Sequence, residues 1–334
     1  MHYVIGTDEA GYGPNLGPLL ISATCWQVPY EMEAAEINGV LTDVVCPTSA
    51  QVSGRRNRAV AIADSKLIYK PSGSLSLLEH GVLAMLNMGR KPLETWRQLW
   101  ECIVTDATGG FPADIDLLPW YAGYDVGLPL DADSDDILEA SQYISGKLCE
   151  SGISLRAVSS KAAFPPHFNG LLDQYDKKSN LLSALTIGQV ADMIRSIENR
   201  VDGVPYRVTV LCDKHGGRNK YRPILEEFFT DTLIEVHGET RELSVYRFGR
   251  SDRRIEIRFQ MRGESAIPTA LASMVSKYLR ETAMQAFNLY WRRQCGESLK
   301  ATAGYPVDAK RFLAEIESKL TQLGIERDMI WRKK

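Results

Sequence analysis

The sequence predicts an α/β protein: a mixed β-sheet flanked by helices, with C-terminal helices closing the chain. Two observations carry that expectation. Apolar runs of strand length, bounded by glycine, proline or aspartate, open the chain and return between residues 206 and 262. Longer segments with apolar residues at helix spacing lie before and after that second group, and the two kinds do not alternate strictly, which favours a mixed sheet over an all-parallel one.

Taken in order, "HYVIGTDEAG" and "GPLLISATCWQV" read as two strands flanking a glycine-rich turn, a hairpin-like opening. "RAVAIADSKLIY" is an apolar run interrupted at Asp64, Ser65 and Lys66. Residues 75–104 read as helix, with Leu78, Val82, Met85 and Leu86, then Trp96, Leu99 and Trp100, at helical spacing. These tryptophans are expected as core anchors rather than as a platform for stacked bases. Residues 107–136 are rich in Gly, Pro and Asp and read as loop, part of an insertion rather than a separate domain. The acidic run Asp131, Asp133, Asp135, Asp136 lacks the glycine and distal glutamate of an EF-hand, so a solvated lead into a helix is expected.

Residues 179–200 read as helix with Leu182, Leu185, Val190, Ile194 and Ile197 inward, followed by the strand "YRVTVLCD" ending on Asp213. Three more strands are expected in "TLIEVH", "SVYRFG" and "RIEIRFQMR". The last alternates: Ile255, Ile257, Phe259 and Met261 on one face, Arg254, Glu256, Arg258, Gln260 and Arg262 on the other. Its arginines suit either a nucleic-acid backbone or a solvated face paired with Glu256. Helices over 268–292 and 308–323 close the chain, the second stopped by Gly324.

Composition excludes several classes. The 334 residues are 44% hydrophobic and 24% charged, ordinary for a soluble globular protein. Six cysteines at 25, 46, 102, 149, 212 and 295 form no CxxC pair, which argues against a zinc ribbon or a disulfide framework and for a reducing, cytoplasmic setting. No stretch reaches the ~20 apolar residues of a membrane span, and Asp8 and Glu9 interrupt the first apolar run, so neither a signal sequence nor a membrane partner is expected. The net charge of −3 hides an asymmetry: residues 1–166 carry 11 Lys/Arg against 20 Asp/Glu, and residues 167–334 carry 28 against 22. The C-terminal half therefore has enough cations for a basic surface.

The chemistry centres on carboxylates. Asp8 and Asp213 each end an apolar strand and are followed within a few residues by glycines, and strand ends distant in sequence meet at a sheet edge. Glu9 adjoins Asp8, and Glu264 follows the basic strand beside a glycine. Four such carboxylates in one place repel unless cations offset them, and hard oxygen ligands select Mg²⁺ or Mn²⁺. Two ions ~4 Å apart would activate water on one side and steady the leaving oxygen on the other. Because side chains alternate across a strand, Asp8 and Glu9 serve one site only if the strand ends or bulges there. The alternative is that Asp8 caps a turn and the other acids are surface residues.

The motif "GTDEAGYGPNLGP" resembles the opening of type 2 ribonuclease H (RNase HII), G-x-D-E-x-G-R-G-P-x-x-G-P. Further blocks follow in the family's order. "ADSKL" at 63–67 resembles D-S-K-K-L, "FNGLL" at 168–172, expected to precede a helix, resembles I-D-x-x-N-I, and "VLCD" at 210–213 resembles the strand-ending aspartate. "RGESAIPTALASMVSKYLRE" at 262–281 is similar to K-G-D-S-x-x-P-x-x-S-A-A-S-I-x-A-K-V-T-R-D, with Glu for Asp at both ends and one residue fewer. "AGYPVDAKRFLAEI" and "GIERDMIWRKK" resemble G-Y-P-T-x-x-H and the basic tail H-R-R-S-F. The series covers most of the chain outside roughly 90–150, which reads as an insertion within a single domain spanning 1–334, with a helical C-terminal region from about 268.

The resemblance implies a ribonuclease H-like fold and makes Asp8, Glu9, Asp213 and Glu264 the metal ligands, Asp8 bridging two Mg²⁺ or Mn²⁺ ions, with Glu281 a more distant supporting acid or simply an acid on the helix surface. It implies that Gly11, Tyr12 and Gly13 contact a ribonucleotide's 2′-hydroxyl through backbone groups, that Lys66 contacts a phosphate, and that Tyr305 packs on the sugar. The partner would be an RNA–DNA hybrid or duplex DNA with embedded ribonucleotides, cut to leave a 3′-hydroxyl. No histidine is required as general base; His215, close to Asp213, is a possible proton shuttle or a loop residue without a role. Tyr12 stands where the family has arginine, Glu264 is one methylene longer than aspartate, and the tail is not intact. Two alternatives follow from these departures: a nucleic-acid-binding protein whose site has drifted, and a metal-dependent nuclease with no ribose requirement.

Overall fold

The opening strand explains the architecture. Strand β1 (His2–Ala10) is buried on both faces through Asp8, a pattern that only a central strand covered on both sides can satisfy. Strand β2 (Leu19–Val28) pairs with it antiparallel, from His2–Val28 to Ala10–Leu20. The computed structural model describes residues 1–46, 59–70, 73–105, 112–201, 203–261 and 263–333, without the side chains at 113, 114 and 264.

Helix α1 (Ile37–Val40) and the short parallel pair β3 (Val45–Cys46) and β4 (Val60–Ala61) come next, before α2 (Ser65–Ile68), α3 (Ser76–Leu86), α4 (Trp96–Ile103), β5 (Val104–Thr105) and α5 (Ser134–Glu150). Then come β6 (Ser154–Ala163), α6 (Pro165–Tyr175), α7 (Lys178–Glu198), β7 (Tyr206–Asp213), α8 (Arg222–Phe228), β8 (Glu235–Glu239), β9 (Leu243–Phe248) and β10 (Arg253–Gln260). Helices α9 (Ile267–Cys295), α10 (Pro306–Leu323) and α11 (Arg327–Ile330) complete the chain. The large sheet has the order β5-β6-β2-β1-β7-β10-β9-β8. Its centre, β1-β7-β10, is parallel and most of its flanks are antiparallel, so the sheet is mixed and flanked by helices, as expected.

Helix α9 starts directly on β1. A Cβ at Gly6 would lie 2.2 Å from the carbonyl carbon of Pro268, so only glycine permits this approach. Thr24 Oγ1 donates to the Pro268 carbonyl at 2.7 Å beside it. On this face Val4, Leu20, Trp26 and Leu211 join one core with Trp96 and Trp100; on the other, Ile5, Val208, Val210, Ile257 and Phe259 pack under α7 and α8. Both expected tryptophan anchors are fully buried, with ring centroids 4.9 Å apart.

Several expectations change. The helix expected over 75–104 is two helices, because Gly89 and Pro92 break it and Thr95 caps α4, accepting from Gln98 N–H at 3.3 Å. "FNGLL" is followed by a helix, α7, as expected, and itself lies inside α6; Pro165 and Pro166 occupy the first turn of α6, where no N–H is needed. The loop expected over 107–136 holds a 3₁₀ turn at Ala113–Leu117, while residues 106–111 lie outside the described residues. Asp133 caps α5, accepting from Asp135 N–H at 2.9 Å and Asp136 N–H at 3.0 Å, so the acidic run is a helix start. The arginines of β10 form a paired, partly solvated face: Arg254 meets Glu235, and Arg258 and Arg247 meet Glu256. Arg262 lies outside the described residues. Gly324 ends α10 in the left-handed conformation, as expected.

His2 links β1 to its surroundings. A carbonyl cannot donate, so Nδ1–H bonds the Met32 carbonyl at 2.8 Å, and the other ring nitrogen, Nε2, shares a 3.0 Å hydrogen bond with Thr209 Oγ1. Burial, aided by the Arg207 charge, lowers its pKa from 6.5 to about 4. Between those values the unfolded chain binds a proton that the folded chain refuses, so this contribution is complete above pH 6.5 and is lost as pH falls toward 4. We expect His2→Gln to flatten the acid side of the stability profile by up to about 3 kcal/mol, measured by urea titration at pH 7 and pH 4.5.

Candidate active site

Strands β1 and β7 run parallel, and their last paired residues are Thr7 and Cys212. Asp8 and Asp213 therefore come next, side by side on strands roughly 5 Å apart. The pleat gives them one face. Val4 and Leu211 point into the core under α9, and Asp8 and Asp213 follow them at even spacing. Asp8 is buried and Asp213 partly exposed.

Strand β10 ends at the same edge, where Gln260 pairs with Asp213. The turn Gly263–Ser265 folds back onto it, and Gly263 N–H donates to Asp213 Oδ1 at 3.2 Å. The backbone of Glu264 thus comes to the site, one residue from that bond. Asn38 clamps the turn from outside, donating to the Ser265 carbonyl at 2.7 Å and accepting from Ile267 N–H at 3.0 Å.

Glu9 is placed differently. The β1–β2 register runs without a shift through Glu9–Ile21 and Ala10–Leu20, so the strand neither ends nor bulges at Asp8. The pleat turns Glu9 to the opposite face, toward Tyr12, whose phenol is pushed up by burial and by the Glu9 charge. Burial, with Asp213 and Glu9 adding, pushes the nearby Cys212 thiol up to about 12 and keeps it neutral.

A line of buried hydroxyls fixes Asp8. Ser276 Oγ on α9 lies 3.1 Å from the Asp8 carbonyl and 2.7 Å from Ser22 Oγ, which lies 2.7 Å from Ser160 Oγ. Ser276 is the donor in both of its contacts, its proton shared between Ser22 Oγ at the shorter distance and the Asp8 carbonyl at the longer one. We expect Ser276→Ala to cost about 1–2 kcal/mol in urea unfolding, because it leaves a buried carbonyl without its donor.

The other predicted residues flank this edge. Gly11 has φ +93°, and a Cβ there would lie 2.5 Å from the Pro18 carbonyl oxygen. Gly13 is exposed, and its Cβ position is 3.7 Å from the ring of Tyr305, itself 54% exposed. Lys66 is exposed on α2, whose Ser65 shares a 3.1 Å bond with Ser273 of α9, one turn before Ser276. Glu281 pairs with Lys277 at 2.6 Å and accepts from Tyr69 at 3.2 Å. His215 is buried. Ser183 Oγ gives its proton to the Ser179 carbonyl at 2.9 Å, so His215 Nδ1–H donates to Ser183 at 3.0 Å. Burial lowers its pKa to about 3, which holds it neutral and unsuited to shuttling protons near neutrality. A cavity of 580 Å³ opens beside Asp213, between Lys214, Asn219 and Arg241.

Sequence reasoning missed two buried arginines beneath the glycine-rich turn. Arg280 of α9 donates to the carbonyls of Leu16 at 3.4 Å, Pro18 at 3.4 Å and Ala303 at 2.8 Å. Arg332, fully buried, sends Nη2 to the carbonyls of Gly11 and Pro14 and stacks on Phe168 at 4.9 Å. Asn15, Asn169 and the Asn15 carbonyl hold the tail around it at 2.8–2.9 Å. Burial and the Arg280 charge pull the Arg332 pKa well below its ordinary value. The only sequence signal was a basic C-terminus, which ordinarily reads as solvated.

Oxygen donors at adjacent strand ends are the kind a hard divalent cation takes, and Asp8 with Asp213 on one face are the residues that could hold one. Among the described residues no three His, Cys, Asp or Glu side chains gather at metal-binding distance. Also among the described residues, no helix is long and apolar enough to cross a membrane.

No family model and no curated protein matches the chain. Among solved structures it is similar to the Mn²⁺ complex of Bst-RNase HIII, at 12% identity over 99% of this chain and 66% of that one, TM-score 0.42. It is also similar to ribonuclease H2 from Pyrococcus horikoshii OT3, at 13% identity over 98% of this chain and 92% of that one, TM-score 0.43. A third is RNase HII from the PCNA:RNase HII complex of Archaeoglobus fulgidus, at 11% identity over 99% and 94%, TM-score 0.42. Likeness of this degree assigns neither family nor activity.

Proposed function

We propose that this chain is a divalent-metal-dependent endonuclease that cuts the RNA strand of RNA–DNA hybrids, or DNA at embedded ribonucleotides. The observation that carries the reading is the position of Asp8 beside Asp213, on one face at the C-terminal edge of parallel strands. The ordered motif series supports it. When bound, Mg²⁺ or Mn²⁺ supplies Lewis-acid stabilisation of the reacting phosphate and activates water. Asp8 and Asp213 hold that charge, Ser276 fixes the Asp8 backbone, and Gly263 orients Asp213. Glu264 and Glu9 are the further carboxylates of the reading. The turn at Gly11, Tyr12 and Gly13 binds the sugar, Tyr305 packs on it, and Lys66 meets a phosphate. One domain with an insertion at about 90–150 and a cytoplasmic setting belong to the same proposal; six free cysteines support a reducing compartment.

The placement of Glu9 on the opposite face favours a second reading, a protein that binds such duplexes without cutting them. A single assay separates the two. The protein is incubated with Mg²⁺ or Mn²⁺ and duplex DNA containing one ribonucleotide, beside an all-DNA duplex and an RNA–DNA hybrid. Cleavage confined to ribose-containing substrates supports the nuclease; retention without cleavage supports the binder. Cleavage of the all-DNA duplex contradicts both.

A further inference from the structure

Two guanidinium groups are buried beneath the turn at residues 11–18, and neither meets a carboxylate at ion-pair distance among the described residues. Their hydrogen bonds go to neutral carbonyls, and Nε and Nη1 of Arg332 meet no acceptor among the described residues. Burying two like charges together without counter-ions is costly, and proteins concentrate such costs at functional sites.

The geometry gives the cost a use. A trans peptide points its C=O and N–H in opposite directions. The Gly11 carbonyl is drawn inward onto Arg332, so the Tyr12 N–H faces away from it. The Pro14 carbonyl is held the same way, and the following N–H, that of Asn15, donates to the Gly304 carbonyl at 2.7 Å, next to Tyr305. The Tyr12 N–H has no backbone acceptor among the described residues. We infer that Arg332 is a positioning residue that sets the specificity of the site: inserted under the turn, it holds the Gly11 and Pro14 carbonyls inward, so that the Tyr12 N–H faces outward as a donor to a sugar oxygen of a bound ribonucleotide. The inference rests on the proposed nuclease reading. It goes further by assigning ribose selection to a side chain that touches no substrate.

The test measures binding in Ca²⁺, without turnover, of a duplex with one ribonucleotide and the same duplex in DNA. Arg332→Lys and Arg332→Met are compared with the unaltered chain, with folding checked by circular dichroism. Both variants should lose about tenfold in affinity for the ribonucleotide duplex, with all-DNA affinity unchanged. Lysine should not rescue, because an ammonium lacks the plane that stacks on Phe168 and so cannot be held beneath the two carbonyls in the same way. Equal weakening on both duplexes, or none, overturns the assignment. A second measurement needs no variant: the ribonucleotide duplex should shift the Tyr12 amide resonance and slow its solvent exchange, and an unaffected amide overturns the assignment. If the unaltered chain does not distinguish the duplexes, the nuclease reading fails as well; if it does and the variants match it, only the role of Arg332 fails.

Discussion

Asp8→Asn should abolish cleavage of a ribonucleotide-containing duplex, lowering the rate by about 10³-fold or more, the loss of roughly 4 kcal/mol of transition-state stabilisation. The substitution keeps the size and shape of the side chain and removes its charge. The Asp8 backbone, bonded by Ser276 and paired with Ser22 across β1–β2, is untouched, so the fold should be retained. Removing the charge also relieves repulsion between two carboxylates on adjacent strands. The variant should therefore melt at the same temperature or higher in the absence of divalent cations. Loss of activity with unchanged melting distinguishes a site residue from a structural one; a variant that cleaves normally removes Asp8 from the site.

The largest effect on stability is expected at Glu79→Ala, about 3–5 kcal/mol in urea unfolding. Glu79 on α3 is fully buried, and its carboxylate accepts from the N–H groups of Leu130 at 2.7 Å, Asp131 at 2.7 Å and Ala132 at 2.9 Å, and from Tyr278 Oη of α9. That one side chain therefore fastens the segment before α5 to the helix that carries Ser276 and Arg280. Truncation leaves four donors facing a cavity. Glu79→Gln should fall between, since its amide keeps one acceptor oxygen and sets an NH₂ group against donors. A Glu79→Ala variant as stable as the unaltered chain would mean that water or rearrangement replaces all four bonds.

Glu79 also shows where sequence reading stopped. A glutamate in a helical stretch ordinarily faces solvent, and nothing in "SLLEHGVLAML" reveals donors about fifty residues downstream. Strand β6 was missed for a related reason. Its Ser159, Ser160 and Lys161 look solvated, yet they are satisfied by Gln189, Ser22 and Asp192, partners remote in sequence. The central strands were legible because apolar side chains on both faces of β1 and β7 need no distant partner to declare burial. The meeting of Asp8 and Asp213 followed from the same feature, since both end such strands. Alternation also warned that Glu9 would share their face only if the strand ended or bulged there, and the register runs on unshifted through Ala10. Arg332 was illegible because its burial depends on a path the tail takes under a turn more than 300 residues earlier.

The most direct measurement is Mn²⁺ binding followed by electron paramagnetic resonance, with the unaltered chain beside Asp8→Asn and Asp213→Asn in the presence of a ribonucleotide-containing duplex. The account predicts Mn²⁺ bound to the unaltered chain and lost in both variants. Equal binding by all three would contradict it.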